Sequence, residues 1–308
     1  MKDVSKEHLA LVLTWCREEL DAVEIVSDHT REHGGHESST RRLQIPTGYC
    51  YLKIHTSGSH WLSEVFGYEH WAPTFGNRAP RLLAVRDEQP LALVVSELPG
   101  QILENAHLDR GKERSAWKSA GAALVSLHEY GNGSHFGQPN RDGSFPDDAH
   151  TNAVEYISRR FKEQVARCVD AGYLTETELA TIHAAYNLIP SYEGERPVAC
   201  HRDYCAANWL VAADGTWSGV IDFEFAHWDV RVADFSRDPE WNWMVRPDLV
   251  DAFYKGYGQR PTGLQEQQLL VAYTEYAVGA ILWGHYNAFY GFEQEGRNAL
   301  ARLALTMA

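Results

Sequence analysis

The chain has few cysteines and no CxxC pair: Cys16, Cys50, Cys168, Cys200 and Cys205 form an odd, widely spaced set. That argues against a disulfide framework and for a reducing compartment, here the cytoplasm. It also lacks any long run of Lys and Arg. With 28 basic against 42 acidic residues the net charge is −14, which excludes a nucleic-acid partner, because such binding needs clustered cations to displace counterions. No stretch approaches the roughly 18 consecutive apolar residues of a bilayer span, so no membrane partner is expected. The apolar-leaning run from Leu9 is preceded by Glu7 and His8 and followed by Arg17, Glu18 and Glu19, which is not the layout of a signal peptide. Internal repeats and low-complexity tracts are absent as well.

What is present is a globular chain of 308 residues, 44% hydrophobic and 12% aromatic. That is twice the usual single-domain prior of about 150 residues, so two lobes or one large domain are expected. Leu9, Val12, Leu13, Cys16, Leu20 and Val23 recur at helical spacing and mark an amphipathic surface helix. Short strands follow at 23–31, 40–45 and 49–55, punctuated by Gly and Pro as in an antiparallel meander. A helix at 59–71 and strands at 81–85 and 91–96 complete the first part. Glu97-Leu98-Pro99-Gly100 then breaks the apolar pattern and reads as a hinge. Helices are expected at 111–129, 152–171 and 175–189, a strand at 197–200, and a hairpin whose strands 209–211 and 217–221 flank Asp214-Gly215. The remainder from Arg237 reads as helical, with a last long helix at 265–292. The charge is uneven: 10 basic and 13 acidic residues lie up to position 96, against 18 and 29 after it.

The chemistry concentrates in His201-Arg202-Asp203-Tyr204-Cys205-Ala206-Ala207-Asn208 and, beyond the hairpin, Ile221-Asp222-Phe223. Asp203, Asn208 and Asp222 bring three oxygen-bearing side chains to one place. Hard oxygen ligands suit Mg²⁺, and a carboxylate not taken by the metal can orient a hydroxyl and accept its proton. H-x-D-x4-N alone should occur by chance in about 0.03 of chains of this size, and the hairpin ending in Asp makes the combination far more specific. Phosphoryl transfer also needs a nucleotide site. Lys53 lies in the apolar strand Tyr51-Leu52-Lys53-Ile54, where alternation puts it on the side of Tyr51; it needs an acidic partner, with Glu64 favoured by its spacing to Tyr68 and Trp71 and Glu69 the alternative.

These residues resemble the aminoglycoside phosphotransferase family, over nearly the whole chain from about Val23. The resemblance implies an α+β, bilobal protein-kinase-like fold, with a nucleotide-binding lobe at 1–96, a hinge at 97–100 and a catalytic and substrate-binding lobe at 101–308. It implies that Lys53 contacts the ATP phosphates and pairs with Glu64, and that Ser96, Glu97 and Leu98 line the adenine at the hinge. Gly34-Gly35 with Ser38 and Ser39 would cover the phosphates. Asp203 would be the catalytic base, Asn208 and Asp222 the Mg²⁺ ligands, and Asp234 a helix-anchoring acid. Arg202 stands where the family usually has Gly, and Asp229 sits one residue before the family's usual second acid. Protein kinases match less well, since Glu224 follows Asp222-Phe223 and no Ala-Pro-Glu lies downstream.

The function so implied is ATP-dependent O-phosphorylation of a small cationic molecule, an antibiotic of aminoglycoside or basic peptide type, with GTP an alternative donor. Glu224, Asp229, Glu240 and Glu275, with Trp241, Trp243, Tyr254, Tyr257, Trp283, Tyr286 and Tyr290 nearby in sequence, are the candidates to meet such a ligand, because aromatic faces and carboxylates hold cations. A kinase of choline, an amino alcohol or a sugar is the close alternative, and a catalytically silent nucleotide-binding protein a further one. The protein is expected to be a monomer or homodimer. His33 and His36 sit in a glycine turn and read as solvated histidines rather than metal ligands.

Overall fold

The computed structural model describes residues 5–30 and 38–307; the expected phosphate-covering glycines Gly34-Gly35, with His33 and His36, lie outside the described residues. Helix α1 (Lys6–Leu20) is capped by Ser5, whose hydroxyl accepts from the His8 amide. Five strands follow, β1 (Glu24–Asp28), β2 (Ser38–Ile45), β3 (Gly48–His55), β4 (Leu82–Arg86) and β5 (Ala92–Ser96), in one antiparallel sheet of order β1-β2-β3-β5-β4. Between β3 and β4 lies α2 (Gly58–Phe66), which continues as a π-helical turn to Trp71 and a 3₁₀ segment to Arg78. The single helix expected at 59–71 therefore changes pitch at Gly67, against which the Phe223 side chain packs so closely that a Cβ would overlap it.

The period-2 alternation of a strand gives β3 two jobs. Cys50, Leu52 and Ile54 face one side, where they form a buried cluster with Leu43, Ala84, Ala92 and Val94 under Val12, Trp15 and Cys16 of α1. Tyr51, Lys53 and His55 take the other side. So α1 seals the outer face of the sheet, and the polar residues of β3 are left for the cleft.

The chain leaves β5 through residues 97–100 and reaches β6 (Gln101–Ile102) and α3 (Arg110–His128). Then come α4 (Ala153–Asp170), α5 (Glu176–Tyr186), β7 (Val198–Cys200), β8 (Trp209–Val211), β9 (Trp217–Val220), β10 (His227–Asp229), α6 (Pro247–Tyr257), α7 (Leu264–Tyr286) and α8 (Tyr290–Met307). β6, β8 and β9 make a small antiparallel sheet, and β7 pairs with β10. Gly121 of α3 and Gly256 of α6 let these helices meet backbone to backbone: a Cβ at either would overlap the carbonyl of Phe253 or Lys118. The helix expected over 265–292 is two helices, because the chain turns through Asn287, Ala288 at φ +55° and Phe289. Two strands that sequence reading passed over, β6 and β10, are two and three residues long, too short to show a period.

Trp71, Trp209, Tyr204, Phe223 and Phe253 are fully buried in one core that runs from the inner face of the sheet into the helical part. Trp243, Tyr254 and Tyr257 belong to this core, whereas Trp241, Tyr286 and Tyr290 are exposed by 51, 82 and 71%. All five cysteines are buried and unpaired. Among the described residues no helix is long and apolar enough to cross a membrane.

Candidate active site

The upper wall of the cleft is a cluster of ion pairs built from three separate elements. Lys53 on β3 is buried, and its ammonium donates to Glu64 Oε1 of α2 at 2.7 Å and to Asp222 Oδ1 at 2.8 Å, with Glu224 Oε2 at 3.7 Å. Burial by itself would push Lys53 toward its neutral form; Asp222, Glu64 and Glu224 reverse that and hold it well above the usual lysine range, so it is a cation. Its partner is Glu64, since Glu69 instead forms an ion pair with Arg141 at 2.6 Å. His55, two residues along the same face of β3, meets the other Glu64 oxygen at 2.8 Å. Sequence reading passed over His55, although the alternation that placed Lys53 places it too. The Tyr68 hydroxyl accepts from the Asp222 amide at 3.3 Å.

Glu224 faces the same ammonium, and Ser38 donates to its Oε2 at 3.4 Å. Burial, and then the neighbouring Asp222 carboxylate, push the Glu224 carboxyl up to about 8 in spite of Lys53. Grouped earlier with the acceptor-side acids, Glu224 thus lies with Lys53 and Asp222. At the end of β5, Ser96 Oγ accepts from the Arg81 amide at 2.9 Å, Glu97 takes Arg42 Nε at 2.7 Å, and Leu98 is buried.

The lower wall is the loop after β7. Asp203 Oδ2 accepts from Asn208 Nδ2 at 2.7 Å, and Asn208 Nδ2 also donates to the Asp203 carbonyl at 2.9 Å. The loop is tied to the hairpin end, because the Ile221 amide donates to Asn208 O at 3.0 Å and His201 Nε2 meets Ile221 O at 3.1 Å. Asp234, fully buried, fixes the loop's start: its carboxylate accepts from the His201 amide at 3.0 Å and the Arg202 amide at 2.5 Å, and takes His128 Nε2 of α3 at 3.0 Å. A residue without any sequence signal completes the wall. Arg237 Nε lies 2.5 Å from Asp203 Oδ1, with its guanidinium over the rings of Tyr276 and Phe292.

The other acids expected to face a substrate are occupied. Asp229 is fully buried between Arg160 and Arg202, Glu275 pairs with Arg160, and Glu240 pairs with Arg302 at 3.2 Å. Asn208 donates its amide nitrogen to Asp203, so its side-chain oxygen is not used in that bond; with the Asp222 carboxylate it offers hard oxygens of the kind that suit Mg²⁺.

A sheet-bearing part and a helical part that close on a buried Lys–Glu pair, with an Asp–Asn loop facing an Asp from the next hairpin, define a kinase-like phosphotransferase fold. The chain belongs to the phosphotransferase enzyme family, whose model matches residues 29–270. Among solved structures, aminoglycoside phosphotransferase APH(4)-Ia is 14% identical with a TM-score of 0.74, over 97% of this chain and 99% of that one. A thermostable mutant of it, solved in a ternary complex with AMP-PNP and hygromycin B, is also 14% identical with a TM-score of 0.74, over 96% and 98%. The gentamicin complex of APH(2")-IIa is 16% identical with a TM-score of 0.64, over 98% and 97%. No curated protein sequence matches the chain.

Proposed function

We propose that this phosphotransferase transfers the γ-phosphoryl group of ATP, as its Mg²⁺ complex, to a hydroxyl of a small cationic molecule, an antibiotic of aminoglycoside or basic peptide type. The observation that carries the reading is the meeting of two half-sites through the hairpin: Lys53 and Glu64 reach Asp222 from one side, while Asn208 and His201 bind Ile221 from the other. Lys53 steadies the α and β phosphates, held in place by Glu64, whose second oxygen His55 occupies. Ser96, Glu97 and Leu98 border the adenine, and the segment 97–100 divides a nucleotide lobe from an acceptor lobe.

Asp203 acts on the acceptor. As the new bond forms between the acceptor oxygen and the γ phosphorus, the bond to the bridging oxygen of ADP breaks and the hydroxyl proton passes to Asp203. Asn208 hydrogen-bonds one oxygen of that carboxylate and Arg237 lies in an ion pair with the other, so the Asn208 side sets its orientation before the acceptor arrives. Asn208 and Asp222 would hold Mg²⁺, which neutralises charge on the phosphates when bound.

Two features support a cationic acceptor. The excess of acid falls after residue 96, and the solved relatives include complexes with hygromycin B and gentamicin. The test is nucleotide turnover against a panel of aminoglycosides, basic peptides, choline, amino alcohols and sugars, with ATP and GTP as donors. Stimulation by an aminoglycoside or basic peptide is expected; stimulation by choline or a sugar alone overturns the acceptor class.

A further inference from the structure

The residue before Asp203 is held in a conformation that its own chemistry does not favour. Arg202 has φ +62°, a left-handed backbone that glycine enters freely and that aspartate, as at Asp222 with φ +70°, tolerates far better than a long side chain does. Two buried carboxylates hold it there. Asp234 takes the Arg202 amide, and Asp229 Oδ2 takes Arg202 Nε at 2.8 Å.

Asp229 is built for that contact. It ends β10, which pairs residue by residue with β7, the strand leading into His201: Asp229 lies opposite Val198 and His227 opposite Cys200. Burial would raise its carboxyl, but the guanidinium groups of Arg160 and Arg202 outweigh burial and hold it far below the usual carboxylate range. Arg160 Nη1 reaches Asp229 Oδ2 at 2.5 Å, while Arg160 Nη2 goes to Glu275 of α7 at 2.7 Å. His227 stays neutral, pushed down to about 4 by burial and then by Arg202. Its Nε2 meets Arg202 Nη1 at 2.9 Å and the Tyr156 hydroxyl at 3.0 Å.

We propose that Asp229 is a positioning residue for phosphoryl transfer: by anchoring the Arg202 guanidinium from β10, it holds the left-handed turn that presents Asp203 to the acceptor. Asp229 does not touch the acceptor. Where a glycine would hold this turn by lacking a Cβ, this chain holds it with an ion pair. The inference rests on Asp203 being the base, so an Asp203→Asn variant accompanies the test.

The experiment uses the full chain and MgATP hydrolysis with water as acceptor, alongside MgATP affinity by calorimetry and thermal midpoints. Arg202→Gly should keep kcat within about threefold, because glycine adopts the turn unaided, whereas Arg202→Ala should lose about tenfold or more. Asp229→Asn should also lose about tenfold or more, and adding Arg202→Gly to it should restore kcat to within about threefold of Arg202→Gly alone, since the anchor then has nothing to hold. MgATP affinity should stay within about threefold throughout, which separates positioning from loss of the nucleotide site. A merely structural role for Asp229 predicts additive losses, and that result overturns the proposal. Equal activity of the Ala and Gly variants at 202 also overturns it, and decides the matter even if Asp229→Asn fails to fold. Full turnover by Asp203→Asn would instead overturn the base assignment.

Discussion

The two walls of the cleft are held together by different means. In the half proposed to hold the nucleotide, Lys53, Glu64 and Asp222 come from a strand, a helix and a loop, and each is buried or half-buried against the charge of the others. In the half proposed to carry the transfer, Asp203 sits on a loop whose backbone is pinned by a separate carboxylate, Asp234, and by hydrogen bonds to Ile221. A charge in the first half is therefore part of the scaffold as well as of the site. The charge of Asp203 meets Asn208 and Arg237, on a loop whose backbone other residues pin.

This contrast can be broken most sharply at its two centres. Asp203→Ala is expected to lower phosphoryl transfer by about 100- to 10,000-fold with a smaller fall in thermal midpoint than Glu64→Ala, because Arg237 loses one carboxylate but keeps Asp238 at 3.7 Å, measured by steady-state turnover and calorimetry; a fall as large as that of Glu64→Ala would show that the Asp203 charge is chiefly structural. Glu64→Ala should cost more in stability. It leaves the buried Lys53 short of a counterion and should cost about 3–5 kcal/mol of stability, read by denaturant unfolding, together with nucleotide affinity. Asp234→Asn lies between them: it removes the charge that holds the His201 and Arg202 amides and His128, so activity and stability should fall together, by about 1–3 kcal/mol in unfolding free energy.

The smallest effect expected is a pH dependence behind the Asp203 wall, where Glu295 accepts from the Tyr276 hydroxyl at 3.3 Å. Glu295, buried on α8, has a carboxyl pushed up to about 8 by burial and then by Asp238. Its folded value lies above its unfolded one, so the stability it contributes is complete below the ordinary glutamate value of 4.5 and is lost as pH rises through about 8. Glu295→Gln should flatten the fall in thermal midpoint between pH 5 and 9 by about 2–4 °C; an unchanged slope would assign that fall to other groups.

Much of this was legible from residues. The strand alternation around Lys53, the spacing from Asp203 to Asn208 and the Asp-Gly hairpin that delivers Asp222 are local signals, and the structure assembles them into facing walls. Arg237 and the Arg160–Asp229–Arg202 cluster were not legible, because an ion pair between residues far apart in sequence leaves no period or spacing. Asp229, Glu240 and Glu275 show the same limit from the other side. As letters they are free acids suited to a cation; in the fold each already has a guanidinium partner.

The sequence by itself determined the division into a sheet-bearing and a helical part, the identity of the buried Lys–Glu pair's lysine, and the Asp-Asn-Asp set, because each rests on side-chain periodicity or on contacts within about twenty residues. Only the tertiary structure decided which carboxylates remain available, which arginine attends Asp203, and that Arg202, at positive φ, is ion-paired with Asp229. Those outcomes depend on which charges burial forces together, and burial is a property of the packed chain.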